Sequence, residues 1–354
     1  MGEKVLMKGN EAIAEAAIRA GCKLFFGYPI TPQTEVAAYM AKRLPKIDGV
    51  FLQAESEVAA INMVYGAASA GKRVMTSSSS PGISLKQEGI SYIAGSDLPC
   101  VIVNIVRGGP GLGGIQPAQS DYFQATKGGG HGDYKMVVLA PGSIQEVVDI
   151  TKEAFDIADK YRIPVMIMGD GMLGQMMEPV EFTEGEEHEI SEKDYAACGT
   201  QMKRKRNIVN SLYIEPDVLE KIVVERYERY KTIEENETRV EEYMTDDAEF
   251  IFASYGTTAR IVKTAIAKLR NEGIKAGLIR PITLWPFPSE AFANAAEKVK
   301  GILTVEMSMG QMVEDVRLAV NGKCPVEFFG RTGGMVPTPD EIVNALMEMK
   351  GGLK

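Results

Sequence analysis

Residues 100–106 read CVIVNIV, which is apolar at every position except Asn104. A near-continuous apolar run of this length is typical of a strand that is buried on both faces of a parallel sheet. Two similar runs follow, KMVVLA at 135–140 and PVMIMG at 164–169. The segment between them, SIQEVVDITKEAFDIADKY (143–161), has the apolar spacing of an amphipathic helix. This part of the chain therefore predicts strands of a parallel sheet joined by a helix.

The same alternation extends towards the N-terminus. Strands are predicted in CKLFFGY (22–28), GVFLQ (49–53) and RVMTSSSS (73–80), and helices in NEAIAEAAIRAG (10–21), TEVAAYMAKRL (34–44) and EVAAINMVYGAASA (57–70). Alternating strands and helices over residues 1–179 predict a doubly wound, mostly parallel α/β domain.

The composition changes after residue 179. Residues 180–244 are rich in charge and predict a linker region, with one long helix expected over 215–243. From residue 245 to 354 the alternation of strands and helices resumes, which predicts a second, smaller α/β domain. The total length of 354 residues agrees with about two domains, at roughly 150 residues each.

The composition excludes several classes of protein. Hydrophobic residues make up 45% of the chain and charged residues 25%, which is ordinary for a globular protein. Acidic side chains outnumber basic ones by 48 to 39, so the chain is a poor partner for nucleic-acid phosphates. No run of about 18 apolar residues predicts a membrane span. Because the first residues also lack the apolar core of a signal peptide, we expect a cytoplasmic protein.

Cysteine and histidine are too few and too scattered for common metal sites. The four cysteines lie at 22, 100, 198 and 324, without a Cys-x-x-Cys pair, and the chain has only two histidines. A zinc site or an iron–sulfur cluster held by this chain alone is therefore not expected, and neither is any other metal site.

Three glycine motifs suggest ligands but fail on physical grounds. GAASAGK (66–72) has Arg73 where a phosphate-binding loop needs a hydroxyl, and it falls inside a predicted helix. GPGLGG (109–114) is flanked by prolines rather than opening a helix, so we expect a loop at the end of a strand. GDG (169–171) lacks the downstream asparagine of a diphosphate–magnesium site, so Asp170 is expected to be a turn residue.

Three polar residues follow predicted strands and form a candidate site. Thr31 lies between two prolines, which restrict the backbone around its hydroxyl. Glu57 starts a helix, where the helix dipole favours a carboxylate. Arg107 follows the apolar run at 100–106. Ligands bind open α/β sheets at the carboxyl ends of strands, although Glu57 starting a helix and Arg107 in a structural ion pair would explain the same pattern.

Long motifs in this chain resemble the 2-oxoacid:ferredoxin oxidoreductase family, and most resemble the alpha-type subunit of 2-oxoisovalerate (3-methyl-2-oxobutanoate) ferredoxin oxidoreductases. The motifs are GNEAIAEAAIRAG (9–21), FFGYPITPQTE (25–35), QAESEVAAINMVYGA (53–67), VMTSSSSPGISLKQEGISY (74–92), VNIVRGGPGLGGIQPAQSDYFQATKGGGHGDY (103–134), YRIPVMIMGDGMLGQMMEPV (161–180) and, more loosely, FFGRTGGMVPTPDE (328–341).

The resemblance implies a fold and a division of labour. The first domain would be of the thiamine-diphosphate pyrimidine type and the second would resemble the transketolase C-terminal domain. A beta-type partner subunit would hold the diphosphate, Mg²⁺ and a [4Fe-4S] cluster. A gamma-type subunit and a small ferredoxin-like subunit would complete the complex. Coenzyme A would be the co-substrate and ferredoxin the electron acceptor.

The resemblance also implies a role for each candidate residue. Glu57 matches the carboxylate that hydrogen-bonds the aminopyrimidine ring and so assists proton removal from the thiazolium ring. Thr31 and Arg107 match residues that hold the 2-oxoacid, for which a forked guanidinium suits the planar carboxylate.

A loop after Arg107 bears on the substrate. In the 2-oxoglutarate branch of the family this loop is rich in hydroxyls, whereas here Leu112 and Ile115 are apolar. An unpaired buried carboxylate is costly, so a branched aliphatic 2-oxoacid fits better than a dicarboxylate. The alternatives are a 2-oxoglutarate or pyruvate ferredoxin oxidoreductase subunit, or a non-catalytic assembly subunit that docks partners through residues 181–243.

Overall fold

A computed structural model describes residues 4–182 and 193–352. The strands, in chain order, are β1 (Lys4–Lys8), β2 (Leu24–Gly27), β3 (Val50–Gln53), β4 (Val74–Ser78), β5 (Cys100–Val106), β6 (Val137–Leu139), β7 (Pro164–Asp170), β8 (Met177–Glu181), β9 (Val240–Tyr243), β10 (Phe250–Ala253), β11 (Ala276–Pro281), β12 (Thr283–Trp285), β13 (Gly301–Glu306) and β14 (Val326–Gly330).

The helices frame these strands. They are α1 (Gly9–Arg19), α2 (Thr34–Arg43), α3 (Glu57–Ser69), α4 (Ser80–Gly95), α5 (Tyr122–Thr126), α6 (Ile144–Tyr161), α7 (Gly171–Gln175), α8 (Pro216–Glu237), α9 (Gly256–Asn271), α10 (Ser289–Ala295), α11 (Met312–Val320) and α12 (Pro339–Gly352), with a 3₁₀ turn at Leu44–Ile47.

The first sheet has seven strands in the order β12-β6-β7-β5-β4-β2-β3. All are parallel except β12, which pairs antiparallel with β6. Strand β5 lies at the centre and all seven of its residues are buried, as the apolar run predicts. The side chain of Ser143 caps α6 by accepting a hydrogen bond from the backbone of Glu146, at 3.2 Å. The parallel α/β arrangement predicted for this part of the chain is confirmed.

Helices cover this sheet in two groups. Helix α1 packs against α2 and α6, whereas α3 packs against α4. The connection through α2 runs from β2 outward to β3, and the connection through α4 runs from β4 in the opposite direction to β5. Since such crossovers are right-handed, α2 and α4 lie on opposite faces of the sheet. The winding therefore reverses between the neighbouring strands β2 and β4.

The second sheet has five strands in the order β14-β13-β10-β11-β9, and only β9 runs antiparallel. Helices α9 and α12 pack together against it around a second apolar core. A small antiparallel pair, β1 with β8, joins residue 4 to residue 181.

The long charged helix is shorter than its sequence pattern predicts. Helix α8 ends at Glu237 rather than at 243, and Val240–Tyr243 forms strand β9 along β11. Tertiary ion pairs stabilise this strand, because Glu241 pairs with Lys263 and Arg280. The prediction of helix over 238–243 was wrong. Part of the predicted linker, residues 183–192, lies outside the described residues.

The two α/β regions share strands and contacts. Strand β12 comes from the later part of the chain but extends the first sheet. Gln119 bridges the regions, because its amide donates to the carbonyl of Tyr255 and its oxygen accepts from the backbone of Met307. The division into 1–179, 180–244 and 245–354 stays a prediction. No helix within 4–182 and 193–352 combines the length and the apolar character that crossing a membrane requires.

Candidate functional site

The reversal between β2 and β4 creates a crevice at the carboxyl edge of the first sheet. Open α/β sheets bind ligands at such a reversal, because the loops after the two strands leave towards opposite faces. Residues 28–33 follow β2, and Ser79 with α4 follows β4. A hydrogen bond of 2.5 Å from the Ser77 hydroxyl to the Gln33 amide oxygen joins the two sides. The candidate residues from the sequence all lie on loops or helix starts at this edge.

The structure brings Arg107 and Thr31 together. The Nη1 atom of Arg107 donates to the carbonyl oxygen of Thr31 at 2.9 Å, and Nη2 donates to the carbonyl of Leu112 at 3.0 Å. The backbone of Arg107 is fixed by the Ser80 hydroxyl, which exchanges hydrogen bonds with its N–H and C=O. Arg107 therefore fixes the loop after β2, which carries Thr31, to the loop after β5, which carries Leu112.

The guanidinium of Arg107 has N–H donors without a partner. Arg107 is 7% exposed, and its buried Nε atom has no hydrogen-bond partner among the described residues. A guanidinium carries five N–H donors, of which two are used here. A buried charged donor without a partner is unfavourable, so a carboxylate arriving at this position would satisfy it.

Glu57 begins α3 on the same face of the sheet as α4. Ser56 caps this helix, and its hydroxyl accepts from the backbone of Ala59 at 3.2 Å. The Glu57 side chain is 6% exposed. Its carboxylate oxygen packs against Gly82 so closely that a Cβ built there would lie 2.6 Å from it. Within the described residues, no ion pair or hydrogen bond engages this carboxylate, which leaves it available to a donor from outside the chain.

Two hydroxyls at the end of β4 lack partners. The Oγ atoms of Ser78 and Ser79 are buried and make no hydrogen bond with any described residue. Ser78 Oγ also borders Gly82, at 2.0 Å from the position of the missing Cβ. Orphaned polar groups beside an unpaired carboxylate are unfavourable in a closed core. The absence of a side chain at Gly82 lets Glu57 and Ser78 pack closely against α4. Their unpaired oxygens have the hydrogen-bonding character that the polar edge of an aminopyrimidine ring requires.

Lys86 is a residue of this site that the sequence analysis missed. It lies on α4, is fully buried, and its ammonium donates to the Thr76 hydroxyl at 2.7 Å. Burial lowers the pKa of Lys86 to about 8, and the charge of Glu57 opposes that shift. The signal was present, since residue 86 falls on the buried stripe of α4 with Ile83 and Ile90.

Lys86 predicts a pH-dependent stability difference. Its pKa is about 8 in the folded chain and 10.5 ordinarily, so between these values the unfolded chain binds more protons. The free energy of unfolding, relative to a Lys86→Met variant, should therefore rise as the pH increases from 8 to 10.5. Urea unfolding of both chains across this range measures the difference. A difference that stays constant with pH would show that Lys86 has the same pKa in the folded and unfolded chains.

A cavity of about 770 Å³ opens beside Thr31. Its wall includes Ile115, Gln116, Gly334 and Val336. Gly334 approaches so closely that a Cβ there would lie 2.5 Å from the Gln116 side chain. The loop after Arg107 thus faces the cavity with Ile115, whereas Leu112 is 83% exposed and points away. The contribution of the segment around 334 was not foreseen from the sequence.

The three glycine motifs lie in a helix end, a loop and a strand end. Asp170 ends β7 and caps α7, with Oδ1 accepting from the backbone of Met172 and Leu173 and Oδ2 from Thr257. Residues 66–69 lie in α3, and residues 109–114 form a loop. In the described ranges, 4–182 and 193–352, no group of three His, Cys, Asp or Glu side chains could hold a metal ion.

Solved structures define the class of this fold. The 2-oxoglutarate:ferredoxin oxidoreductase from Magnetococcus marinus, with 2-oxoglutarate, coenzyme A and succinyl-CoA bound, aligns at a TM-score of 0.87 with 29% identity. The alignment covers 98% of this chain and 65% of that chain. A split-gene transketolase aligns at a TM-score of 0.61 with 16% identity, which shows the fold alone. The predicted fold class is confirmed.

Sequence comparisons identify the family. A family model for pyruvate flavodoxin/ferredoxin oxidoreductase, thiamine diphosphate-binding, matches residues 15–245, and one for pyruvate:ferredoxin oxidoreductase core domain II matches residues 248–342. The ketoisovalerate oxidoreductase subunit VorB of Methanothermobacter marburgensis is 49% identical, over 98% of both chains. The 2-oxoglutarate synthase subunit KorA of the same organism is 38% identical, over 99% of this chain and 100% of its own. The chain belongs to the 2-oxoacid:ferredoxin oxidoreductase family, as its motifs predict.

Proposed function

We propose that this chain is the subunit of a thiamine diphosphate-dependent complex that oxidatively decarboxylates a branched-chain 2-oxoacid, 2-oxoisovalerate. The products are CO₂ and the acyl-coenzyme A, and the electrons pass to ferredoxin. Mg²⁺ and the [4Fe-4S] cluster belong to partner subunits in this proposal. The partners are a beta-type subunit, a gamma-type subunit and a small ferredoxin-like subunit. The cytoplasmic location expected from the sequence stays a prediction.

The buried, unpaired carboxylate of Glu57 carries the proposal. It lies at the carboxyl edge of the sheet, packed against Gly82 and beside the Ser78 hydroxyl, which has no partner among the described residues. These groups fit the polar edge of an aminopyrimidine ring. Thiamine diphosphate, when bound, supplies the carbon nucleophile that attacks the 2-oxo group. Glu57 would accept a hydrogen bond from the ring nitrogen facing it and hold the proton there, a task that requires a carboxylate.

Arg107 and Thr31 would hold the substrate. The unused N–H donors of Arg107 suit the carboxylate of a 2-oxoacid, since a guanidinium binds a carboxylate through two parallel hydrogen bonds. Arg107 holds the carbonyl of Thr31 at 2.9 Å, and Thr31 lines the cavity of about 770 Å³.

The apolar wall at Ile115 supports a branched aliphatic substrate. Relatives named for ketoisovalerate share more of this sequence than those named for 2-oxoglutarate, at 49% against 38% identity. The alternative, a 2-oxoglutarate-specific subunit, is favoured by the structural neighbour that holds 2-oxoglutarate.

We expect the reconstituted complex to prefer 2-oxoisovalerate in a panel with pyruvate and 2-oxoglutarate. The second carboxylate of 2-oxoglutarate would enter a cavity whose described lining includes Ile115 and the acidic Glu35 but no cationic side chain; the nearby Lys8 is already paired with Glu35. Steady-state kcat/KM for each acid measures the preference. A preference for 2-oxoglutarate would overturn the substrate assignment while leaving the chemistry intact.

We expect Arg107→Ala to raise the KM for the 2-oxoacid by roughly tenfold to hundredfold, as loss of a charged hydrogen bond implies. Arg107→Lys is the matched variant, because it keeps the charge but loses the fork and should recover only part of the affinity. Saturation kinetics of both variants in the complex measure the effect. Unchanged saturation by the substrate would contradict the role of Arg107.

If this chain were a non-catalytic assembly subunit, its candidate site would take no part in the reaction. Substitutions at Glu57 would then leave turnover intact, and thiamine diphosphate would bind the partner subunits equally well with and without this chain. Titrating the cofactor against the partners alone, this chain alone and the complex separates the two functions.

A further inference from the structure

Lys86 occupies a position where packing alone favours an apolar side chain. It lies on the buried stripe of α4 and is fully buried. Its ammonium has only two neutral acceptors, the Thr76 hydroxyl at 2.7 Å and the Ser77 carbonyl at 3.4 Å. No carboxylate lies within 4 Å of it among the described residues. A buried charge without an ion pair is costly, and apolar replacement of such groups is often neutral or stabilising.

The charge of Lys86 acts mainly on Glu57. Helix α4 packs against α3, β5 and β7, and Lys86 itself bonds to β4. The titratable groups of these elements are Glu57 and Tyr65 on α3, Cys100 on β5 and Asp170 on β7. The segment after Arg107 adds Asp121, His131 and Tyr134, which lie beside Ser80, Ser91 and Gln87 of α4. Of all these groups, Glu57 is the one whose charge raises the pKa of Lys86 against the effect of burial.

Both groups converge on the start of α4. Glu57 packs against Gly82, one turn before Lys86 on the same helix. The ammonium approaches from the sheet side, through Thr76 and Ser77 at the end of β4. The carboxylate and the ammonium are therefore both buried along α4, about one helical turn apart.

We propose that Lys86 is a positioning residue: its buried ammonium, one helical turn from the contact between Glu57 and Gly82, provides the positive charge that holds the Glu57 carboxylate in place for the ring nitrogen of the cofactor. This rests on the proposed function of Glu57. Lys86 itself does not touch the substrate. Its effect should follow its own protonation, because a neutral amine cannot stabilise the carboxylate.

The first test is independent of activity and uses the full chain labelled with ¹³C at the lysine Cε atoms. The Lys86 resonance, assigned by its loss in Lys86→Met, should titrate near pH 8. In Glu57→Gln the midpoint should fall to lower pH, because the opposing carboxylate charge is gone. An unchanged midpoint would overturn the coupling.

The second test uses the reconstituted complex. Lys86→Met keeps the length and volume of the side chain and should lower kcat about tenfold below pH 8, with the oxoacid KM little changed. The ratio of wild-type to Lys86→Met kcat should then approach one as the pH rises above 8. Lys86→Arg should restore kcat and keep its advantage over Lys86→Met at high pH, because arginine stays protonated. A ratio that does not change with pH would overturn the proposal.

Controls separate the possible failures. Lys46→Met removes an exposed lysine and should change neither the titration nor the kcat ratio. Should Lys86→Met fail to fold, Lys86→Gln keeps a hydrogen-bond donor for Thr76 and carries the same kinetic expectation. An active Glu57→Gln complex would refute the proposed function of the site. An inactive Glu57→Gln complex combined with a wild-type-like Lys86→Met complex would refute only the role of Lys86.

Discussion

We expect Glu57→Gln to lower kcat of the reconstituted complex by roughly 10²–10⁴-fold, the usual contribution of a positioned acid–base group. Glutamine keeps the shape of the side chain, so packing against Gly82 and the cap of α3 by Ser56 should persist. It cannot hold the proton on a ring nitrogen as a carboxylate does. The loss should therefore appear in kcat, with assembly and thermal stability retained.

The neighbouring Glu55 provides the control. It lies two residues earlier in the same segment and is exposed, so Glu55→Gln should leave turnover unchanged. Turnover by both variants, together with size-exclusion profiles of the complexes, measures the effect. Retained activity in an intact Glu57→Gln complex would refute the catalytic role of the carboxylate.

The second large effect is expected from Gly82→Ala. The new Cβ would lie 2.0 Å from the Ser78 hydroxyl oxygen and 2.6 Å from Oε1 of Glu57, distances that force one or both side chains to move. A displacement of about 1 Å at a reacting group can cost about 10²-fold in rate. We therefore expect about a hundredfold loss of kcat, with a destabilisation of about 1–3 kcal/mol from overpacking.

Two further variants show whether the loss of kcat in Gly82→Ala comes from displacement of Glu57. Gly66→Ala adds a Cβ to the neighbouring helix α3, where nothing lies within 4 Å, and should be neutral or slightly stabilising. Ser78→Gly combined with Gly82→Ala removes one clash and should recover stability but not turnover, because the clash with Glu57 remains. Full activity of a folded Gly82→Ala complex would show that Glu57 need not be held at this position.

Strands buried on both faces were the features that sequence predicted best. The apolar runs at 100–106 and 164–169 became adjacent, fully paired central strands, since nothing but a sheet interior accommodates such runs. The charged stretch at 238–243 was predicted wrongly as helix. The sequence pattern of this stretch is compatible with both a helix and a strand. Pairing with β11 and ion pairs to distant residues favour the strand.

The edge that carries the candidate site was predictable, but its contacts were not. The spacing of polar residues after strands placed Thr31, Glu57 and Arg107 at one edge of the sheet. The hydrogen bond between Arg107 and the Thr31 carbonyl joins residues 76 apart, and the contact of Glu57 with Gly82 joins residues 25 apart. Both depend on how distant segments meet in space. Lys86 was missed because a single lysine in a helical pattern is usually solvated rather than buried.

The central claim is that Glu57 faces the aminopyrimidine ring of a cofactor shared with another subunit. An experimental structure of the assembled complex with thiamine diphosphate tests it most directly. We expect a ring nitrogen within about 2.6–3.2 Å of a Glu57 carboxylate oxygen, with the diphosphate held by the partner. A ring bound away from Glu57, or a cofactor enclosed by this chain alone, would contradict it.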